Sequence, residues 1–257
     1  MQDKVKNKYK PYREQFGLIK KHIPTTVTAK ILDASCGKGQ LMLLFHGANY
    51  QEIYGVDRKT DETIKPLLFR DYLFLKNKVL EKGKRYYIAN KPLKKYKLIA
   101  DLLKEVSIKA LEPRFNKNIH ISTMDFLDFP KFFHDCKQFN VLVASYVLHL
   151  YPQEKDALLL QKIKDLLLDD GVVYIKVFNL NRAVTYLQKQ ANKEAVTYNE
   201  TNHTLQNTFG DKTYTWHLFS AKRLQYYCQD FTVLYQNDSE DFSELILQKK
   251  ETKTAEI

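Results

Sequence analysis

From Lys30 onward, short apolar runs alternate with segments of helical spacing. Ile31-Leu32-Asp33-Ala34 is closed by Cys36-Gly37-Lys38-Gly39, and Gln40 to Phe45 then reads as a helix. Ile53-Tyr54-Gly55-Val56-Asp57, Ile119-His120-Ile121-Ser122, Asn140 to Ser145 and Val172 to Phe178 have the character of further strands. A helix from about Gln153 to Leu168 and a turn at Asp169-Asp170-Gly171 precede the last of these. Mostly apolar strands of four to seven residues, alternating with helices, predict a parallel sheet covered on both faces. Beyond Asn181 the pattern changes. Thr213 to Leu218 and Ser243 to Leu247 are strand-like, and Ser220 to Cys228 between them fits a helix capped by Ser220. These two late strands predict an antiparallel hairpin at the sheet edge.

Arg58 to Lys97 fits no element of a minimal strand–helix–strand unit, because Ile99 to Arg114 already supplies the crossover helix. The extra stretch holds thirteen basic and four acidic residues, interleaved with Phe69, Tyr72, Phe74, Tyr86, Tyr87 and Tyr96. Pro66 and Pro92 break it into helical pieces, so residues 58–97 are expected to form an inserted helical lid after strand 2. Residues 1–30 form a basic N-terminal segment. Its Tyr9, Tyr12, Phe16 and Ile19 recur at helical spacing and are placed to close the same mouth.

With 257 residues the chain is long enough for a self-sufficient core, and the expectation is a single domain over residues 1–257. Its 41 basic and 30 acidic residues are unevenly spread. Residues 1–30 hold eight and two, residues 58–117 seventeen and seven, so the rest of the chain is left with a net charge of −5. The surplus thus frames the expected entrance and suits an anionic small-molecule acceptor. Lysines interleaved with tyrosines also suit a nucleic acid, held through segments 1–30 and 58–97. The excess of 34 lysines over seven arginines favours a solvated surface over bidentate phosphate recognition. Cys36, Cys136 and Cys228 lie too far apart for a disulfide framework or a metal site. No apolar run approaches the ~18 residues of a membrane helix, and the first residues have no apolar signal core. A cytoplasmic protein with no metal and no membrane partner is expected.

A strand ending in an acid, followed by Gly-x-Gly at the start of a helix, bares backbone N–H groups to a polar or anionic ligand. The dinucleotide fingerprint would need a third glycine where Met42 stands. Taken together, Asp33-Ala34-Ser35-Cys36-Gly37-Lys38-Gly39, Gly55-Val56-Asp57, Met124-Asp125-Phe126 and Ser145-Tyr146 resemble the class I S-adenosylmethionine-dependent methyltransferases over residues 30–248. The resemblance implies an α/β, Rossmann-like, seven-stranded, mostly parallel sheet with a C-terminal antiparallel hairpin, and S-adenosylmethionine as cofactor. It implies that the loop of Asp33, Ser35, Cys36, Gly37 and Gly39 holds the methionine part, with Asp33 near the ammonium group. Asp57, followed by Arg58, would take both ribose hydroxyls. Asp125 would meet the adenine amino group between Met124 and Phe126, and Ser145 and Tyr146 would line the floor beneath the sulfonium. The loop carries Ser35 where the family usually has glycine.

Displacement of a methyl group from a sulfonium needs alignment first, and a base only when the nucleophile arrives protonated. His149 is the candidate base, with Tyr146 and Tyr151 beside it; Leu148-His149-Leu150 equally fits a packed histidine. Trp216 and His217 lie on a segment that often faces substrate in such proteins. No acidic or amide residue followed by Pro-Pro-aromatic stands after strand four and no Pro-Cys occurs, which argues against base-amino and cytosine-C5 methylation. Phe209-Gly210-Asp211-Lys212-Thr213-Tyr214 weakly resembles a motif of the messenger-RNA cap guanine-N7 enzymes. A small molecule methylated on oxygen or nitrogen is therefore placed ahead of an RNA substrate, and of a methyltransferase-like subunit that binds without turnover.

Overall fold

The buried alternation of the apolar runs organises a seven-stranded sheet. The computed structural model describes residues 2–23, 28–59, 65, 68–69, 71–72, 113–129, 139–189, 196–209 and 211–250. In chain order these form α1 (Gln2–Lys20), β1 (Lys30–Asp33), α2 (Gln40–Gly47), β2 (Glu52–Asp57), β3 (Ile119–Thr123) and β4 (Phe139–Ser145). There follow α3 (Asp156–Leu166), β5 (Leu167–Phe178), α4 (Asn181–Lys189), β6 (Val196–Asn199), β7 (Thr204–Phe209), β8 (Lys212–His217), α5 (Ala221–Cys228), β9 (Phe231–Asp238) and β10 (Phe242–Lys249). The large sheet has the order β3-β2-β1-β4-β5-β10-β9. Its first five strands pair in parallel, and β10 runs antiparallel to both β5 and β9.

Successive residues of each strand serve opposite faces, as the two-residue period requires. Ile31, Val141, Val143, Val172 and Tyr174 pack with Phe45 of α2 and Tyr9 and Ile19 of α1. Leu32, Leu142, Ala144, Val173 and Ile175 pack with Leu159 and Ile163 of α3 and Leu224 and Tyr227 of α5. Both faces are apolar, which is why the central strands read as continuous hydrophobic runs. On the second face the buried Arg223 guanidinium donates to both oxygens of Asp156, at 2.7 and 2.6 Å, and to the carbonyls of Tyr151 and His217. Tyr227 adds a hydroxyl bond to the same carboxylate at 2.9 Å.

The late hairpin needs correction. Ser243–Leu247 lies in β10 as expected, but its hairpin partner is β9, from Phe231 to Asp238. Thr213–His217 lies in β8, which pairs with β7 in a separate antiparallel sheet of order β6-β7-β8. As an edge strand with Val233 44% exposed, β9 lacks the buried alternation that marks the others. Of the Phe209–Tyr214 run, Phe209 ends β7 and pairs with Lys212 of β8, while Gly210 lies outside the described residues. Of the expected lid, Lys65, Leu68, Phe69, Asp71 and Tyr72 are helical; the remainder, with Pro66 and Pro92, lies outside the described residues apart from Arg58 and Lys59. So do Cys136, most of the expected crossover helix and the tail beyond Lys250. No described helix is long and apolar enough to cross a membrane.

Candidate active site

The carboxyl ends of β1, β2 and β4 meet where the strand order reverses, the place at which open α/β sheets bind ligands. The loop leaving β1 is fastened from both sides. Ala34 N–H donates to the Val143 carbonyl at 2.8 Å, Cys36 N–H to that of Val56 at 3.0 Å, and the Ser35 hydroxyl to that of Ser145. Thus Ser35, standing where glycine was expected, ties the loop to the end of β4. Cys36 is buried and contributes its backbone.

Gly37 and Gly39 take φ values of 50° and 71°, a conformation that side-chain-bearing residues adopt only with strain. A Cβ on Gly37 would meet nothing within 4 Å, whereas one on Gly39 would lie 2.3 Å from Leu68 Cδ1. Space for a ligand therefore opens over Gly37, and the segment after β2 packs against Gly39. As N-cap, Gly39 brings no side chain to the start of α2, so that helix end presents backbone donors alone.

Asp57 joins this loop to β2. Its carboxylate accepts from Gly37 N–H and from Lys59 N–H, each at 2.9 Å. Asp33 is 4% exposed and accepts from Ser35 N–H at 3.4 Å. Burial lifts its pKa from 3.8 to about 7; the Ser35 bond pulls it down and the Asp57 charge pushes it up. Buried, and close to a second carboxylate, Asp33 is suited to a cationic group. Tyr12 of α1 lies near enough for the Asp33 charge to raise its pKa, after burial. Tyr9, one turn earlier, donates to Asp71 at 2.9 Å, so α1 and the inserted segment meet beside the mouth.

Asp125, Arg58 and Tyr151 form one cluster. Asp125 accepts from Leu127 N–H at 2.8 Å and from the Tyr151 hydroxyl at 2.5 Å, and pairs with Arg58 at 2.5 Å. The Arg58 guanidinium stands 4.9 Å from the Tyr151 ring centroid. Burial alone would raise the Asp125 pKa; the bonds from Tyr151 and Leu127 and the Arg58 charge outweigh it and hold the carboxyl below its ordinary range. Tyr151 therefore stands on the Asp125 side of the site. Phe126 is buried in the core, which leaves half-buried Met124 as the accessible member of its pair.

At the end of β4, Tyr146 has φ 59°, a strained value for an aromatic residue, and its N–H donates to the Lys176 carbonyl at 2.7 Å. Burial, then Glu244, pushes its hydroxyl pKa up to about 12. His149 is 2% exposed, with its ring 4.4 Å from Phe178 and 5.9 Å from Tyr146. Burial first, then Arg182, Arg223 and His217, lowers its pKa to about 3, so the imidazole is neutral at physiological pH. Phe178, which sequence reading did not single out, also meets Trp216 at 5.8 Å. The two described cavities lie elsewhere, one of about 270 Å³ along Thr197, Asn199 and Gln206 and one of about 530 Å³ between Gln153 and Gln229.

The open space over Gly37, the paired loop and β2 acid, and the buried Asp33 fit a nucleoside bearing an amino-acid tail. The sheet order and its antiparallel final strand give the chain the fold of the class I S-adenosylmethionine-dependent methyltransferases. Among solved structures it is similar to the CcbJ methyltransferase of Streptomyces caelestis, at 12% identity over 93% of this chain and 94% of that one, TM-score 0.58. It is similar to 1,6-didemethyltoxoflavin-N1-methyltransferase of Burkholderia thailandensis, at 13% identity over 94% of this chain and 78% of that one, TM-score 0.53. An S-adenosylmethionine-dependent methyltransferase of Methanosarcina mazei matches at 14% identity over 91% and 97%, TM-score 0.53. No family model and no curated protein matches the sequence.

Proposed function

We propose that the chain is a cytoplasmic S-adenosylmethionine-dependent methyltransferase acting on an oxygen or nitrogen of a small molecule. The observation that carries this reading is the joint between the β1 loop and β2. Gly37, left-handed and open above, is held by the same Asp57 carboxylate that stands ready for a ribose. When bound, the cofactor supplies a methyl group already activated on a positively charged sulfur.

In this reading Asp33 faces the ammonium group. Asp57 accepts from the ribose hydroxyls while retaining its backbone donors, since two carboxylate oxygens offer about four lone-pair positions. Asp125, held by Arg58 and Tyr151, offers its remaining lone pair to the adenine amino group beside Met124. Ser145 and Tyr146 form the floor beneath the reacting centre. What the chain adds is alignment and the exclusion of water. His149 remains the candidate base by position, but burial and the neighbouring cations that lower its pKa to about 3 make it a weak one, so the reading favours an acceptor that needs little help in losing its proton.

Calorimetry with S-adenosylmethionine and S-adenosylhomocysteine tests the reading. Binding by the wild type is expected, and Asp57→Ala should weaken it about 10- to 100-fold, the worth of one or two hydrogen bonds to a charged group. Absence of binding by the wild type refutes the proposal.

A further inference from the structure

The two halves of the proposed cofactor meet unequal surroundings. Above Gly37 the space is open, because a Cβ there meets nothing within 4 Å. Asp33, the carboxylate assigned to the ammonium group, is only 4% exposed. A nucleoside therefore reaches its place from solvent, whereas an amino-acid tail reaches Asp33 only when whatever covers that carboxylate moves aside.

α1 lies over that end of the site. Tyr9, Tyr12, Phe16 and Ile19 stand three or four residues apart and share one face of it. Tyr9 and Ile19 are fully buried, and Phe16 meets Phe45 of α2 edge-on at 5.1 Å. Tyr12 stands between them, half-buried, packed on the cluster that includes Cys36, Leu41 and Met42. It is close enough to Asp33 on one side and Tyr146 on the other to feel both groups electrostatically. The helix is weak on either side of this turn. Pro11 has no N–H to give to the carbonyl one turn back, and Gly17, with open space about it, has the low helical preference of a residue without a Cβ. One bond fastens the turn from above. The Tyr9 hydroxyl donates to Asp71 Oδ2 at 2.9 Å, across 62 residues and with both side chains buried. The residues around Asp71 are themselves anchored. Leu68 lies against Gly39, and Tyr72 packs on His46 at 4.8 Å and on Phe115 at 5.6 Å.

Resting on the methyltransferase reading above, we infer that the Tyr12 turn of α1, bracketed by Pro11 and Gly17, is a gate over Asp33 that the Tyr9–Asp71 bond holds shut. It lifts to admit and to release the amino-acid tail of the cofactor. The bond is broken as the tail enters and is remade once the tail is seated, so the gate governs rates more than affinity. The nucleoside half, which enters over Gly37, does not pass it.

The test is surface plasmon resonance on the immobilised full chain with two ligands. One is S-adenosylhomocysteine; the other is 5′-methylthioadenosine, which has the nucleoside but no amino-acid tail. Tyr9→Phe keeps the ring and removes the hydroxyl. In this variant both association and dissociation of S-adenosylhomocysteine should be at least about five-fold faster, the loss of one hydrogen bond to a charged group, while their ratio changes less than either rate. The rates for 5′-methylthioadenosine should stay within about two-fold of the wild type, a split between ligands that a general loosening of the fold does not give. Asp71→Ala should also speed S-adenosylhomocysteine, and the double variant should exceed the larger single effect by nothing, since one bond is shared. Unchanged S-adenosylhomocysteine rates in Tyr9→Phe, equal changes for the two ligands, or additive effects in the double variant overturn the gate alone. Failure of the wild type to bind S-adenosylhomocysteine overturns the methyltransferase reading as well.

Discussion

Titration of cofactor binding against pH isolates Asp33. Its carboxyl is 4% exposed, and burial lifts its pKa from 3.8 to about 7. For an acid, a folded value above the unfolded one means stability that is whole at low pH and is lost as pH climbs from about 4 to about 7. A difference of about 3 pH units, at 1.36 kcal/mol each, makes the ionised fold roughly 4 kcal/mol less stable than the protonated one. An ammonium group beside the carboxylate lowers the pKa again, so below pH 7 binding must expel a proton. From a free pKa of about 7, the affinity for S-adenosylhomocysteine should fall about ten-fold at pH 6 and about a hundred-fold at pH 5, relative to pH 8. Calorimetry in paired buffers of different ionisation heat reads both quantities. About one proton released per ligand is expected at pH 6. Asp33→Asn should bind weakly at every pH, yet stabilise the unliganded fold at pH 8 by up to about 4 kcal/mol in urea unfolding. Affinity level from pH 5.5 to 8 with no proton released, or the same pH dependence in Asp33→Asn, refutes the reasoning.

Gly39→Ala should lower stability by about 1–2 kcal/mol, because φ is +71° and the new Cβ would press on Leu68. In a double-mutant cycle with Leu68→Ala, a coupling above about 0.5 kcal/mol identifies the clash, with the remainder assigned to backbone strain. Arg223→Ala should cost about 3–5 kcal/mol in chemical denaturation, since it strands the buried Asp156 carboxylate along with the Tyr151 and His217 carbonyls. Ser35→Ala removes the hydroxyl bond to the Ser145 carbonyl, and should cost about 1 kcal/mol of stability by the same assay.

What the sequence disclosed and what it hid divide along the distance between interacting residues. The β1 loop and the strand beside it are local. Asp33 to Gly39 is one strand–loop–helix, and Asp57 ends the neighbouring strand, so parallel pairing alone brings Asp33 beside Gly55 and the acid beside Gly37. The contacts of β8 are not local. Thr213 to Leu218 is legible as a strand, but its alternating threonines and aromatics do not say which strand it joins, and pairing it with β10 would have placed Trp216 at the sheet edge. Pairing with β7 instead turns Tyr214 toward Lys59 and Trp216 toward Phe178, contacts separated by 155 and 38 residues. His149 illustrates the same limit: both readings of Leu148-His149-Leu150 hold in part, since the ring is packed and yet its Nδ1 is left unpaired. Ion pairing follows the same division, since Lys176 with Glu244, Arg182 with Asp241 and Arg223 with Asp156 each join remote parts of the chain. The seating of the β6-β7-β8 sheet beside the carboxyl ends of the parallel strands therefore rests on contacts remote in sequence, and a substitution that unseats β8 should leave the proposed binding of S-adenosylhomocysteine unchanged in calorimetry, because no residue of the β1 loop is touched.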